Sequence, residues 1–411
     1  MAARTTPPDT SQLLRSMLGR FDRTAFDPPP GRSRIRLVVT GDDADEQWDV
    51  VVSSERDRAS LLPADRRRRP GATLAADRET WRHIAENVSA GLEAYRSGRL
   101  TVRHNLHLAV GLLAATAVRR PGRLEVRLAG RGGKRLSSLQ AGRGEPVLML
   151  HGLGATKASF LPTINALAPT YRVIALDLPG FGDADKPVRA AYDAAFFARF
   201  AAQALDALGL ERAHIIGHSM GGRVALELAL QHPGRVQSLT LLTPSLAWRR
   251  PRPWAPYLRL VRPELGMLQP APRAIVDPLI RRLIPGAKSG WSAVGVDEFL
   301  RGFLHPRGRA AFYAAARNIY LEEPIGPKGL WERISGIAAP SLFVWGTRDH
   351  LVPVAFARHV ERAVPHAHHL ELDCAHVPQF ERPRELHAAV ARFLSSHPMA
   401  AGGDGLVARS H

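Results

Sequence analysis

The chain reads as an α/β protein, a mostly parallel, doubly wound sheet with a helical cap, preceded by a small α+β unit. Three observations predict this. Six short apolar runs in the second half alternate with helix-prone stretches, as buried parallel strands joined by crossover helices do. One long segment, 246–340, breaks that alternation with helical spacing and many aromatics but no clear strand. The first 120 residues show a different pattern, in which alternating strands are followed by amphipathic helices.

At 411 residues the chain is too long for one ordinary domain and suits two. With 45% apolar residues, 35 Gly and 32 Pro it is globular rather than fibrous or disordered. The break at Pro121-Gly122 divides 1–120 from 121–398, and the Ala/Gly-rich stretch 399–411 reads as a disordered tail.

In chain order, Leu13, Leu14, Met17, Leu18 and Phe21 fall at helical spacing rather than forming the apolar core of an export signal. The single cysteine, Cys374, allows no intramolecular disulfide, so the cytoplasm is the expected compartment. Residues 35–40 and 47–53 alternate as paired strands around a turn at 41–43, and 72–76 reads as a third strand. Asp77 caps a helix carrying Trp81, Ile84 and Val88; a second short helix holds Leu92 and Tyr95. A strand at 98–102 then precedes the apolar run 106–118. That run is shorter than the roughly 20 residues of a membrane span and reads as a buried helix.

Beyond the boundary, 124–128 and 135–140 form a leading hairpin. Strands follow at 147–150, 173–176, 214–216, 239–242, 342–345 and 370–372, with helices at 194–208 and 223–230. The cap aromatics, among them Trp248, Trp254, Tyr257, Phe299, Phe312 and Trp331, are candidates to roof an apolar site.

The formal charge of +18 is almost entirely arginine, scattered along the chain. Its one dense cluster, Arg66 to Arg69, lacks interleaved aromatics and reads as a solvated loop, so no nucleic-acid partner is expected. The charge is compatible with weak peripheral contact with an anionic membrane. His350, His366, His368 and His369 show no ligand spacing, so neither a metal nor an organic cofactor is expected. Cys374 reads as a packing residue.

The chemistry concentrates at Gly217-His218-Ser219-Met220-Gly221, between an apolar run and a helix-prone one. A sharp strand-to-helix turn lifts a serine clear of the sheet, and glycines two positions either side relieve the crowding it causes. Asp349 follows the strand 342–345 and His376 follows the last strand, giving the order Ser219, Asp349, His376. Ends of parallel strands converge on one side of a sheet, which is what nucleophile, acid and base require. The backbone amides of Met220 and of Leu153, in His151-Gly152-Leu153-Gly154, are the expected oxyanion donors. His151 and His218 flank this site as candidate substrate contacts, with packing as the alternative role.

With the turn Asp177-Leu178-Pro179-Gly180-Phe181-Gly182-Asp183, these features resemble the α/β-hydrolase superfamily over residues 122–398. The resemblance implies an esterase or lipase, a carbon–carbon bond hydrolase or a cofactor-free perhydrolase; dehalogenases and epoxide hydrolases carry aspartate where this chain has Ser219. Upstream, Thr73 to Trp81, Gly91 to Tyr95 and Ser97 to Arg103 resemble the sterol carrier protein lipid-transfer domain, which implies an apolar tunnel for acyl or sterol-like ligands. The expectation is therefore a serine hydrolase cleaving a hydrophobic or lipid-like carboxylic ester without a cofactor. The alternatives are a carbon–carbon bond hydrolase whose acidic substrate would meet Arg281, Arg282 or Arg301, and a non-catalytic lipid binder.

Overall fold

The computed structural model describes residues 9–41, 44–86, 91, 94, 97–119, 121–128, 136–249, 252–283 and 290–399. The expected turn at 42–43, Val88, Leu92, Tyr95 and the tail from 400 onward lie outside them.

The first unit is a five-stranded sheet. Its strands β1 (Arg32–Thr40), β2 (Glu46–Ser53), β3 (Ser60–Pro63), β4 (Ala72–Asp77) and β5 (Thr101–Arg103) lie in the order β3-β2-β1-β4-β5. Only the β1/β4 pair is parallel, with Ile35 opposite Ala72. Ile35, Leu37, Val39, Val50 and Val52 turn one face into the core, while Arg34 and Arg36 on the other face hold the buried Asp49 at 2.8 and 2.9 Å. β3 was not anticipated. It is a four-residue edge strand, largely exposed, with none of the alternation that marks a half-buried one. Asp77 caps the helix Arg78–Glu86 through the Thr80 amide at 2.6 Å, and Trp81 Nε1 donates to Val38 O.

The helix Leu106–Thr116 is buried at every position, which explains why its sequence is apolar all round. It packs against β1, β4 and β5 and against β6 (Glu125–Arg127), the first strand of the larger sheet. A side chain at Gly111 would overlap the Phe26 ring, so helix and chain approach at backbone contact there. One apolar cluster therefore runs without interruption from Leu14 and Trp81 to Val147, Phe160, Met149 and Leu394. Both units rest on a common core.

The larger sheet adds β7 (Ser138–Ala141), β8 (Pro146–Leu150), β9 (Arg172–Leu176), β10 (Ala213–His218), β11 (Val236–Leu242), β12 (Ser341–Gly346) and β13 (His368–Leu372). Their order is β13-β12-β11-β10-β8-β9-β7-β6. The β6/β7 and β7/β9 pairs are antiparallel, and the six strands from β8 onward are parallel. The chain reverses its direction of travel across the sheet between β8 and β10, so loops from these adjacent strands face one crevice at their carboxyl ends. The cap comprises the helices Ala255–Leu260, Arg273–Leu283, Gly290–Phe303, Pro306–Leu321 and Leu330–Ile334. Among the described residues, no helix is long and apolar enough to cross a membrane.

Candidate active site

Ser219 sits between β10 and the helix Met220–Gln231 with φ 51° and ψ −116°, a left-handed backbone for a residue with a side chain. Neighbouring hydrogen bonds hold it there. Its amide donates to Leu242 O at 2.9 Å, and its carbonyl accepts from Gly222, Arg223 and Ser245. A Cβ at Gly217 would overlap Gly221 O, and one at Gly221 would overlap Leu150 O, so both glycines are required by contact.

The three residues drawn from distant strand ends come together here. Ser219 Oγ–H donates to His376 Nε2 at 2.9 Å, and His376 Nδ1–H donates to Asp349 Oδ2 at 2.7 Å. The other carboxylate oxygen accepts from the amides of Leu351 and Val352 at 2.8 and 3.0 Å. Burial by itself would raise the Asp349 pKa; the hydrogen bond from His376 and the two amides outweigh it and hold the carboxyl below its ordinary range. The Asp349 side chain is fully buried whereas His376 keeps 18% exposure.

The loop after β8 lies against this serine. A Cβ at Gly152 would stand 3.0 Å from His218 Nδ1 and 3.2 Å from Ser219 Cβ, so Gly152, which precedes Leu153, lies directly against Ser219. Gly154 in turn meets Phe299 and Phe312 of the cap, at 2.8 and 3.2 Å from its would-be Cβ.

The flanking histidines are engaged by the protein itself. His151 Nδ1–H donates to Gly152 O at 2.8 Å and its Nε2 accepts from the Leu178 amide at 2.9 Å, so both ring nitrogens of this buried residue serve loop geometry rather than substrate. His218 Nε2–H donates to His376 O at 2.8 Å, and Thr243 Oγ1–H donates to the same carbonyl at 3.0 Å. Together they position the loop that carries His376. Burial first, then the nearby His376, push the His218 pKa down to about 3.

Motif reading missed a buried ionic layer beneath these loops. Lys157 Nζ donates to Asp177 Oδ2 at 2.5 Å and Ser137 Oγ at 2.7 Å, and reaches Asp183 at 3.3 Å. Asp177 Oδ1 accepts the Lys157 amide at 2.8 Å, and a side chain at Gly182, where φ is +49°, would overlap that carboxylate. Burial opposes ionisation of Asp177, but Lys157 prevails and its pKa falls to about 2. Arg301 pairs with Asp183 and Glu298 at 2.7 and 2.8 Å. Glu298 also accepts the Leu106 amide, and Asp297 accepts from Arg103 and the His104 amide, tying the cap helix Gly290–Phe303 to the first unit. The Asp177 to Asp183 turn was the visible signal; its partners in the cap carried none.

The cap aromatics divide. Phe299, Phe303 and Phe312 form a packed cluster on the loop after β8, and Trp248 and Trp331 pack on Phe356. Trp254 and Tyr257 instead stand 65% exposed on the outside, contrary to a roofing role. The Trp291 and Arg281 side chains lie outside the described residues. A cavity of about 220 Å³ opens beside Met220, lined on one part by Tyr192, Phe197, Val224, Ala315 and Ile319 and on another by the polar Asp193, Arg223, Asn318 and Glu322.

Of the Arg66 to Arg69 cluster, Arg68 and Arg69 join Arg32, Arg34, Arg56 and Arg58 around an open basin of about 800 Å³ on the first unit. Cys374 is buried and unbonded, and burial, with Glu381 and Asp349 nearby, pushes its thiol up to about 11. Among the described residues, His, Cys, Asp and Glu form no group of three or more suited to a metal ion.

Residues 145–269 match the family model of the alpha/beta hydrolase fold. The chain is 36% identical over 216 residues to RutD of Variovorax paradoxus, a candidate carbamate hydrolase, covering 51% of this chain and 76% of that one. It is 28% identical over 271 residues to the 2-hydroxy-6-oxo-6-phenylhexa-2,4-dienoate hydrolase of Comamonas testosteroni, covering 62% and 89%. Across the first three curated relatives the share of their own length spanned runs from 65% to 89%. Among solved structures, a bacterial membrane phospholipase A matches with TM-score 0.54 and 27% identity, covering 67% of this chain and 87% of that one.

Proposed function

The chain belongs to the α/β-hydrolase family, and from that premise we propose that it is a serine hydrolase cleaving a carboxylic ester of hydrophobic or lipid-like character through an acyl-enzyme. One observation carries the reading, the unbroken hydrogen-bonded relay from Ser219 through His376 to Asp349. His376 takes the Ser219 proton as Oγ attacks the ester carbonyl, then delivers it to the departing alcohol; a water activated the same way releases the acid. Asp349 stays ionised, fixes the tautomer with Nε2 free to accept, and stabilises the imidazolium. The amides of Leu153 and Met220 receive the oxyanion.

The aromatic and aliphatic part of the cavity lining beside Met220 supports a hydrophobic acyl or alcohol group, as does the likeness to a membrane phospholipase A. The expected result is that Ser219→Ala abolishes hydrolysis of medium-chain esters and labelling by a fluorophosphonate. Ester turnover by that variant at the wild-type rate would refute the proposal.

The relative that hydrolyses a ring-cleavage product favours a second reading, carbon–carbon bond hydrolysis by the same three residues. Arg301, a candidate to meet its acidic substrate, is already committed to Asp183 and Glu298. Parallel assays on an ester and a vinylogous diketone separate the two. For the first unit we propose lipid binding; its resemblance to the sterol carrier domain supports this, and mass spectrometry of copurifying lipids tests it.

A further inference from the structure

Among the described residues twelve large hydrophobic side chains stand exposed, and eight of them fall within residues 254–279 of the cap. Leu260 and Leu268 are 82% and 79% exposed, and Trp254, Tyr257, Leu265 and Ile275 each 60% or more. Most of them are three or four residues from the next, so the helices Ala255–Leu260 and Arg273–Leu283 each turn an apolar side outward. The opposite side is already occupied. Arg317 donates to Val261 O at 2.6 Å, Arg309 to Gly266 O and Gln269 O at 2.8 and 2.9 Å, and Tyr313 to Gln269 Oε1 at 2.7 Å, all from the helix Pro306–Leu321. Residues 261–269 are thus seated on that helix, and among the described residues nothing covers the exposed apolar side chains of 254–279; exposed apolar patches of this kind mark interaction surfaces.

We propose that this outer cap face, residues 254–279, docks on an anionic lipid bilayer. Charge selects the occupant. Residues 252–283 carry six arginines, at 252, 259, 262, 273, 281 and 282, against Glu264 and Asp277; Glu323 pairs with Arg252 and Arg259, and Asp277 with Arg273, so the face keeps an excess of positive charge even with Glu323 counted. A second copy of the chain would bring two such cationic strips face to face, whereas anionic headgroups neutralise them while Leu and Ile enter the acyl boundary. Trp254 and Tyr257, with ring centroids 6.0 Å apart, carry amphipathic rings suited to the headgroup level, and arginine stems extend so that their heads reach phosphate. The helix beneath the patch, Pro306–Leu321, lines the cavity beside Met220 on its other side, so docking places that cavity one helix away from the membrane. The inference deepens the proposed ester hydrolysis by naming the surface where substrate is met, and it rests on that reading for its purpose alone.

The test is sedimentation of the full chain with phosphatidylglycerol/phosphatidylcholine vesicles and with phosphatidylcholine vesicles at 0.15 M salt. Leu260→Asp/Leu268→Asp disrupts the patch, Trp254→Ser is a milder variant, and Arg32→Ala/Arg58→Ala alters the basin on the first unit. Expected are at least tenfold tighter binding to anionic vesicles, at least a tenfold loss in the double-aspartate variant, a smaller loss in Trp254→Ser, and no loss in the basin variant. Unchanged melting temperatures and soluble-ester rates show that the cap variants remain folded. Four results would overturn the inference: no vesicle binding by wild type, binding that survives the cap variants, binding lost through the basin instead, or a solution dimer that the cap variants dissociate without any vesicle binding. Failure of the ester reading looks different, since vesicle binding would persist while fluorophosphonate labelling of Ser219 was absent.

Discussion

Replacing Asp349 by asparagine removes one charge and no volume, and its effect follows from four hydrogen bonds. The carboxylate accepts from the Leu351 and Val352 amides on one oxygen and from His376 Nδ1–H on the other. An asparagine has one accepting oxygen and one donating NH₂. Two amide donors at 2.8 and 3.0 Å hold the asparagine oxygen on their side, which turns the NH₂ toward His376. Its Nδ1 must then accept, so the ring proton moves to Nε2 and points at Ser219 Oγ, where a base is needed. The expected loss is about 10⁴ in kcat, or about 5.5 kcal/mol of barrier, the scale seen when a triad imidazole is held in the wrong tautomer. Steady-state kinetics on a soluble aryl ester at pH 7 to 8, with circular dichroism to verify the fold, measures it. A variant within tenfold of wild type would refute the tautomer argument and Asp349's part in it.

Gly221→Ala drives a methyl into Leu150 O, and because the atoms it meets are backbone and cannot swing aside the expected outcome is a lower melting temperature together with a large loss of ester hydrolysis. Lys157→Met strands the buried Asp177 carboxylate and should cost about 3–5 kcal/mol in denaturant unfolding, with Lys157→Met/Asp177→Asn less unstable than the sum of the two single variants; additivity would show the pair to be uncoupled. Acid stability has two windows. Burial lowers His107 to about 4 and His218 to about 3 from 6.5, so as pH falls from 6.5 to about 4 the unfolded chain takes up protons the native one refuses and stability drops. His107→Gln should flatten the melting temperature over that interval. Asp177, held below its ordinary 3.8 by Lys157, contributes stability above pH 3.8 that is lost only below it, and an Asp177→Asn profile as steep as wild type below pH 3.8 would contradict this.

The sequence by itself determined where most strands of the larger sheet lie and which three residues, Ser219, Asp349 and His376, stand at strand ends, because both are written locally. Short apolar runs fixed most strands of the larger sheet to within a few residues, and each of Ser219, Asp349 and His376 is announced by the strand it follows. The glycines at 217 and 221 were legible for the same reason, since an elbow constrains its own neighbours. What sits between sequence-distant partners was not legible. Arg103 meets Asp297 and Lys157 meets Asp183 only after the chain has closed on itself, and a lone charge within a helix carries no mark of the carboxylate it will find. β3 escaped because an exposed edge strand needs no hydrophobic alternation. His218 carries both possibilities in sequence, and only its distance to His376 O makes it a prop for the loop that carries His376. Tertiary structure also decided that Trp254 and Tyr257 face outward while Phe299 and Phe312 face the loop. Helical spacing gives each aromatic a side, but which side faces the interior depends on the helix that packs against it.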